Sequence, residues 1–190
     1  MTPAIDNDGW LIDARRRLSP NCDERPADCG IDLAVLHGIS LPPGEFGGDD
    51  ILRLFENRLD CSARPSYDAL RGLRVSAHFL IIRTGDITQF VSCQKRAWHA
   101  GDSSWRGRQQ CNDFSLGIEL EGDNNTPYTA AQYEKLAALI SAISIKRAPN
   151  LPSLPVTGHE HIAPGRKTDP GPYFDWEKLF QSIGKAHDGR

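Results

Sequence analysis

No C-x-x-C pair occurs in this chain of 190 residues, and its five cysteines, Cys22, Cys29, Cys61, Cys93 and Cys111, are an odd number. Both features speak against a disulfide framework and a thiolate metal site, and leave reduced thiols used for packing. Long apolar runs are lacking too. The longest, Leu136 to Ile145, is broken by Ser141 and Ser144 and falls well short of the roughly 20 residues that cross a bilayer. Basic clustering is equally thin: no Lys/Arg block exceeds Arg15-Arg16-Arg17, and the formal charge is -3. A phosphate-binding track is therefore not expected. Asp6 and Asp8 stand where a secretory signal would carry basic residues ahead of an apolar core. The expectation is a cytoplasmic protein with neither a nucleic-acid nor a membrane partner.

What is present suffices for a packed core. Apolar residues are 39% and charged residues 25% of the chain, which excludes disorder throughout. At roughly 150 residues per domain the length predicts one domain, residues 1–190. Leu33 to Leu36 reads as a buried strand with His37 at its exit, before the loop Leu41-Pro42-Pro43-Gly44. Ile51, Leu52, Leu54, Phe55 and Leu59 repeat at helical spacing behind Asp49 and Asp50, acidic residues suited to a helix N-terminus. Ser76–Arg83 and Asp86–Ser92, joined by Thr84-Gly85, predict an antiparallel hairpin. Ser115–Glu121 alternates, with Leu116, Ile118 and Leu120 on one face and Glu119 and Glu121 on the other. Thr129 and Gln132 form a capping box ahead of Tyr133, Leu136, Ala137, Ile140 and Ile143. Pro155–His159 predicts a strand ending on a histidine, and Asp175–Ile183 a closing helix. Interleaved strands and helices with one hairpin make the fold class α/β, a central mixed sheet flanked by helices.

Histidines at the ends of two core strands can meet on one rim of a sheet. His37 and His159 satisfy this, and Asp169, in the proline-stiffened Arg166–Pro172 loop, supplies an oxygen. Two nitrogens and a carboxylate suit a catalytic zinc that keeps one open position. The same residues also suit hydrogen-bonded strand-end histidines and a turn-capping aspartate, and spacing alone does not decide between the two.

Five segments carry a resemblance to a known family: His37–Gly48, Leu73–Leu80, Lys95–Gly101, Cys111–Gly122 and Thr157–Pro172. Together they resemble the zinc amidases that cleave 1,6-anhydro-N-acetylmuramoyl-L-alanine in Gram-negative cell-wall recycling. The likeness runs in order from about Trp10 to Trp176. It implies the fold of peptidoglycan recognition proteins and phage amidase-type lysozymes, and one zinc held by His37, His159 and Asp169. It further implies Glu119 and Lys167 as catalytic residues, Arg74 on a stem-peptide carboxylate, and a muropeptide as the partner of a monomeric enzyme. Trp98 and His99, in a loop closed by Gly101, are expected to line the saccharide side of the cleft, with Trp98 equally suited to fill the core.

Three positions depart from the family pattern: Gly38 where Asn is usual, His161 in place of Asn or Asp, and Gln110 in place of Arg. If His159 and His161 lay in a strand they would point the same way, making His161 a second imidazole beside the metal. His78, inside a predicted strand, reads as a packed histidine, and Glu121 as a structural carboxylate. Two rival readings are a non-hydrolytic muropeptide-binding module of this fold and a periplasmic amidase acting on intact peptidoglycan. The full set of His37, His159, Asp169, Glu119 and Lys167 argues against the first, the acidic N-terminus against the second.

Overall fold

The structure, a computed structural model, describes residues 3–147 and 153–188, apart from the side chains of 186–188. Its strands are β1 (Arg15–Arg16), β2 (Cys22–Glu24), β3 (Leu33–Ile39), β4 (Phe79–Ile81), β5 (Ile87–Gln89), β6 (Lys95–Ala97), β7 (Ser104–Trp105), β8 (Arg108–Gln109), β9 (Ser115–Glu121) and β10 (Val156–Gly158). The α-helices are α1 (Asp50–Phe55), α2 (Ala130–Arg147), α3 (His159–Ile162) and α4 (Trp176–Asp188). Six strands form the main sheet in the order β1-β5-β4-β9-β3-β10, antiparallel only between β4 and β5. The hairpin read from Thr84-Gly85 is that antiparallel pair. The mixed sheet with flanking helices agrees with the expected fold class.

The sheet's two faces follow from alternation along β3 and β9. Ala34, Leu36, Leu116, Ile118 and Leu120 point one way and pack with Leu136, Ile140 and Ile143 of α2 and Leu179 and Ile183 of α4 in the largest apolar cluster. The capping box at the start of α2 is formed as expected: Thr129 N–H donates to Gln132 Oε1 at 3.0 Å and Gln132 N–H to Thr129 Oγ1 at 3.2 Å. The opposite face is divided. Leu33 and Val35 pack with Ala100, Phe114 and Ile162, while α1 and the 3-10 turn at Pro65–Leu70 build a separate cluster around Phe55, Tyr67 and Phe90. Between these two clusters lies a polar seam.

Two of the boundaries that differ from the sequence reading bear on the site. β3 continues through His37 to Ile39, so His37 stands inside the strand. The strand expected through His159 stops at Gly158, and His159 opens α3.

Candidate metal centre and active site

β3 and β9 are parallel neighbours in which His37 is paired with Glu119 and Ile39 with Glu121. Register partners share a sheet face, so the seam on β9 is Ser115, Gly117, Glu119 and Glu121, and His37 stands opposite Glu119. β10 lies on the other side of β3, with Gly158 paired to Leu36. The residue after Gly158, His159, is thereby delivered beside His37. Asp169 arrives on a loop that is tied down twice, by Glu160 N–H on the Asp169 carbonyl at 2.9 Å and Tyr128 O–H on the Pro170 carbonyl at 2.9 Å.

The three expected ligands meet. His37 Nδ1, His159 Nδ1 and Asp169 Oδ2 form a triangle whose three sides are each 3.0 Å. Tetrahedral zinc with bonds of about 2.0–2.1 Å separates its ligand atoms by roughly 3.3 Å, so the donor set has the size and chemistry for such an ion. A second observation supports the fit. His159 Nε2 lies 3.1 Å from the Ala100 carbonyl, which can only accept, so a neutral His159 carries its proton on Nε2. Its Nδ1 lone pair then faces the Asp169 carboxylate oxygen with no proton between them, an arrangement that a cation resolves. Burial pushes the His37 pKa down to about 4 despite the Asp169 carboxylate beside it. His37 is accordingly neutral near pH 7, as a ligand must be.

Glu119 is buried, and its Oε2 has no hydrogen-bond partner among the described residues. Burial first, and then the Asp169 charge, raise its pKa well above the ordinary carboxylate value, opposed by Lys167. Lys167 is exposed and lines the same cleft as Glu119, His37, His159 and Asp169, whose other wall is apolar, with Leu41, Leu54 and Leu73. A buried carboxyl with raised proton affinity, beside a metal-capable triangle and near a cation, can exchange a proton with a bound substrate.

The remaining expected residues divide. Arg74 is exposed, borders a groove with Leu70 and Leu73, two residues that also line the cleft, and has no ion pair among the described residues. Trp98 is half-buried, near the Asp23 carboxylate that Arg96 holds, and is not among the residues lining the cleft. His99 does line the cleft, but its Nδ1 lies 3.0 Å from His37 Nε2, behind the triangle. His161 does not join the metal ligands. In a helix, residues two apart diverge by roughly 200°, and His161 is exposed, its Nδ1 accepting from Gly158 N–H at 3.2 Å. Gly38 packs against the Tyr128 hydroxyl, which would collide with a Cβ at that position. Gln110 is exposed at φ +57°.

Glu121 is the structural carboxylate expected, accepting from Gly47 N–H at 2.6 Å and Arg83 N–H at 3.1 Å. His78 is fully buried, with Gly117 N–H donating to its Nδ1 at 3.0 Å and its Nε2 3.0 Å from the Lys95 carbonyl. Two contributors escaped the sequence reading. Asn112 Oδ1 accepts from the N–H groups of His99 and Ala100, at 3.0 and 2.8 Å, and so sets the segment behind both histidines. Tyr128 anchors the loop that carries Asp169. Nothing local marks Asn112; Tyr128 stands just ahead of a helix whose cap was evident.

Comparison with known proteins places the chain in a family. Residues 28–172 match the family Amidase_2, N-acetylmuramoyl-L-alanine amidase. The 1,6-anhydro-N-acetylmuramyl-L-alanine amidase AmpD of Citrobacter freundii is 55% identical over 173 residues, 91% of this chain and 91% of that protein. The AmpD of Escherichia coli K12 is 52% identical over 177 residues, 93% of this chain and 96% of that protein. The crystal structure of a selenomethionine derivative of AmpD superposes with a TM-score of 0.89 at 53% identity, covering 94% of this chain and 98% of that one. E. coli AmiD, in complex with the substrate anhydro-N-acetylmuramic acid-L-Ala-D-gamma-Glu-L-Lys, is 30% identical with a TM-score of 0.57, over 95% of this chain and 65% of that one. With its metal-capable triangle, its buried carboxyl and these similarities, the chain belongs to the N-acetylmuramoyl-L-alanine amidase family.

Proposed function

We propose that this chain hydrolyses the lactyl amide joining 1,6-anhydro-N-acetylmuramic acid to the L-alanine of a stem peptide, with one zinc ion held by His37, His159 and Asp169. The reading carries with it a cytoplasmic, monomeric enzyme acting on released muropeptides. The observation that supports it most is the pairing of the 3.0 Å triangle with the unpartnered Glu119 Oε2 beside it. The sequence similarity to proteins named for that reaction supports the substrate. Bound zinc supplies Lewis acidity, which polarises a carbonyl and makes water a stronger acid.

Hydrolysis puts the water oxygen on the acyl carbon, and alanine leaves as an amine, so one proton must move from water to nitrogen. Glu119 Oε2 accepts that proton and returns it to the departing nitrogen. Its environment suits the task, since burial stabilises the protonated form in mid-reaction. The Lys167 ammonium at the cleft mouth balances negative charge gathering on the amide oxygen. Arg74, unpaired and exposed, takes a carboxylate of the stem peptide as a bidentate partner. No helix among the described residues is long and apolar enough to cross a membrane.

The test is to incubate the zinc-loaded protein with anhydro and reducing-end muropeptides and read the products by mass. Release of intact stem peptide from the anhydro substrate is expected. A protein that binds the muropeptide and leaves it uncut would overturn the reading.

A further inference from the structure

His99 is outside the three-residue ligand triangle, yet its ring lies between the ligand histidine His37 and Gly117 of β9. Its Nδ1 is 3.0 Å from His37 Nε2, and its Nε2 is 3.2 Å from Ser115 Oγ. Ser115 Oγ is in turn 2.5 Å from the Cys111 carbonyl oxygen. Each of these contacts joins groups that can donate or accept, except the last, where the carbonyl has no hydrogen to give.

That one fixed group orders the whole chain. The Ser115 hydroxyl must donate to Cys111, and its oxygen is left to accept. His99 Nε2 must therefore carry a proton. Its ring partners among the described residues are His37 and Ser115, with no carboxylate to balance an imidazolium, so the ring is neutral and has only that proton. His99 Nδ1 is then bare and must accept from His37 Nε2–H. A neutral His37 protonated on Nε2 has a bare Nδ1, the atom that faces His159 and Asp169.

We propose that His99, directed by Ser115 and the Cys111 carbonyl, is a positioning residue that locks His37 in the tautomer whose Nδ1 is free to bind metal. The proposal rests on the metal reading given above and adds a role for residues outside the ligand set. It has a counterpart on the next residue. The Ala100 carbonyl holds His159 Nε2–H at 3.1 Å, so the dipeptide His99-Ala100 sets both imidazoles, one through a side chain and one through the main chain. The Asn112 amide oxygen, by accepting from both backbone N–H groups of that dipeptide, fixes their spacing. Partners behind metal-bound histidines, when removed, typically cost 10–100-fold in metal affinity.

The decisive measurement is the tautomer itself, read from long-range 1H–15N spectra of the zinc-loaded, 15N-labelled protein. His99 is expected to be protonated at Nε2 and bare at Nδ1. A His99 protonated at Nδ1, or at both nitrogens, overturns the proposal. Zinc affinity, measured by chelator competition, gives a second arm. His99→Phe keeps a ring but no acceptor, and its affinity should fall by about 10–100-fold. His99→Asn, whose amide oxygen takes the place of Nδ1, should recover most of that loss. Equal affinity in wild type and His99→Phe, or equal loss in both variants, sinks the proposal. If His99→Phe does not fold, the wild-type His99 tautomer and the His99→Asn affinity still decide. A wild-type protein that binds no zinc at all would be a failure of the metal reading instead, and is seen separately in the same titration.

Discussion

Gly117 lies directly under the His99 imidazole: a Cβ at residue 117 would collide with His99 Cγ, Cδ2 and Nδ1. The glycine has no unusual backbone need here, being in the middle of β9. What it provides is the room in which a ring can stand flat on the sheet and reach His37. Gly117→Ala is therefore an overpacking change, expected to cost about 1–3 kcal/mol, read as a lower melting temperature. It should also weaken zinc binding, since the displaced ring leaves His37. Normal stability with normal zinc affinity would show that the ring has somewhere else to go.

Glu119 and Glu121 lie on the same sheet face, and their isosteric substitutions should separate cleanly. Glu119→Gln should keep zinc and lower turnover by roughly 10²–10⁴-fold, the usual worth of a placed general acid/base. Its melting temperature should not drop, because the native carboxyl is buried with Oε2 unpartnered, and an amide removes the cost of ionising it. Glu121→Gln replaces one of two oxygens that each accept a backbone N–H, at Gly47 and Arg83, with a donor. One N–H then faces an NH2 group, at an expected loss of about 1–3 kcal/mol in stability. A Glu121 variant more damaging to turnover than to stability would exchange the two roles.

Arg74 has no ion-pair partner to lose among the described residues, so Arg74→Lys should leave the melting temperature unchanged. Lys keeps the charge but not the planar fork that grips a carboxylate at two points. KM for a peptide-bearing muropeptide should rise while kcat changes little. An unchanged KM would remove Arg74 from the binding site.

Acid should destabilise the metal-free protein in a defined window. Burial lowers the His78 pKa to about 3, helped by Arg25, and the His37 pKa to about 4. Unfolded histidines titrate near 6.5. Below that value the unfolded chain binds protons that the folded chain refuses, so the contribution to stability is complete above pH 6.5 and is lost as pH falls toward 4 and then 3. Melting temperatures measured across pH 7 to 4 should decline steadily through this range. A flat profile would mean that neither ring is as secluded as its surroundings indicate.

Removal of zinc by a chelator should abolish activity, and added zinc should restore it. His159→Ala should lose both metal and activity, because two protein ligands are too few for a catalytic zinc. Active protein without bound zinc, by metal analysis, is the outcome that contradicts the proposed chemistry.

Short-range patterns carried much of the fold. The Thr129–Gln132 cap, the Thr84-Gly85 hairpin and the alternation of Ser115–Glu121 each depend on residues a few positions apart, and the structure has all three. The convergence of His37, His159 and Asp169 was likewise readable, because the family pattern names the residues, although His37 stands inside β3 and His159 opens α3 rather than both closing strands. Tertiary structure decided the rest. His161 turned away because the backbone changes from strand to helix between Gly158 and His159, which replaces a two-residue period by 3.6. The pair His99–His37 joins residues 62 positions apart, and the donor finds its acceptor only after the sheet has brought them together. The burial that sets the Glu119 and His37 pKa values is a property of the packed seam between two apolar clusters. Residue types and local order determined which groups are available. The fold alone determined which of them lose water and which lone pairs face one another.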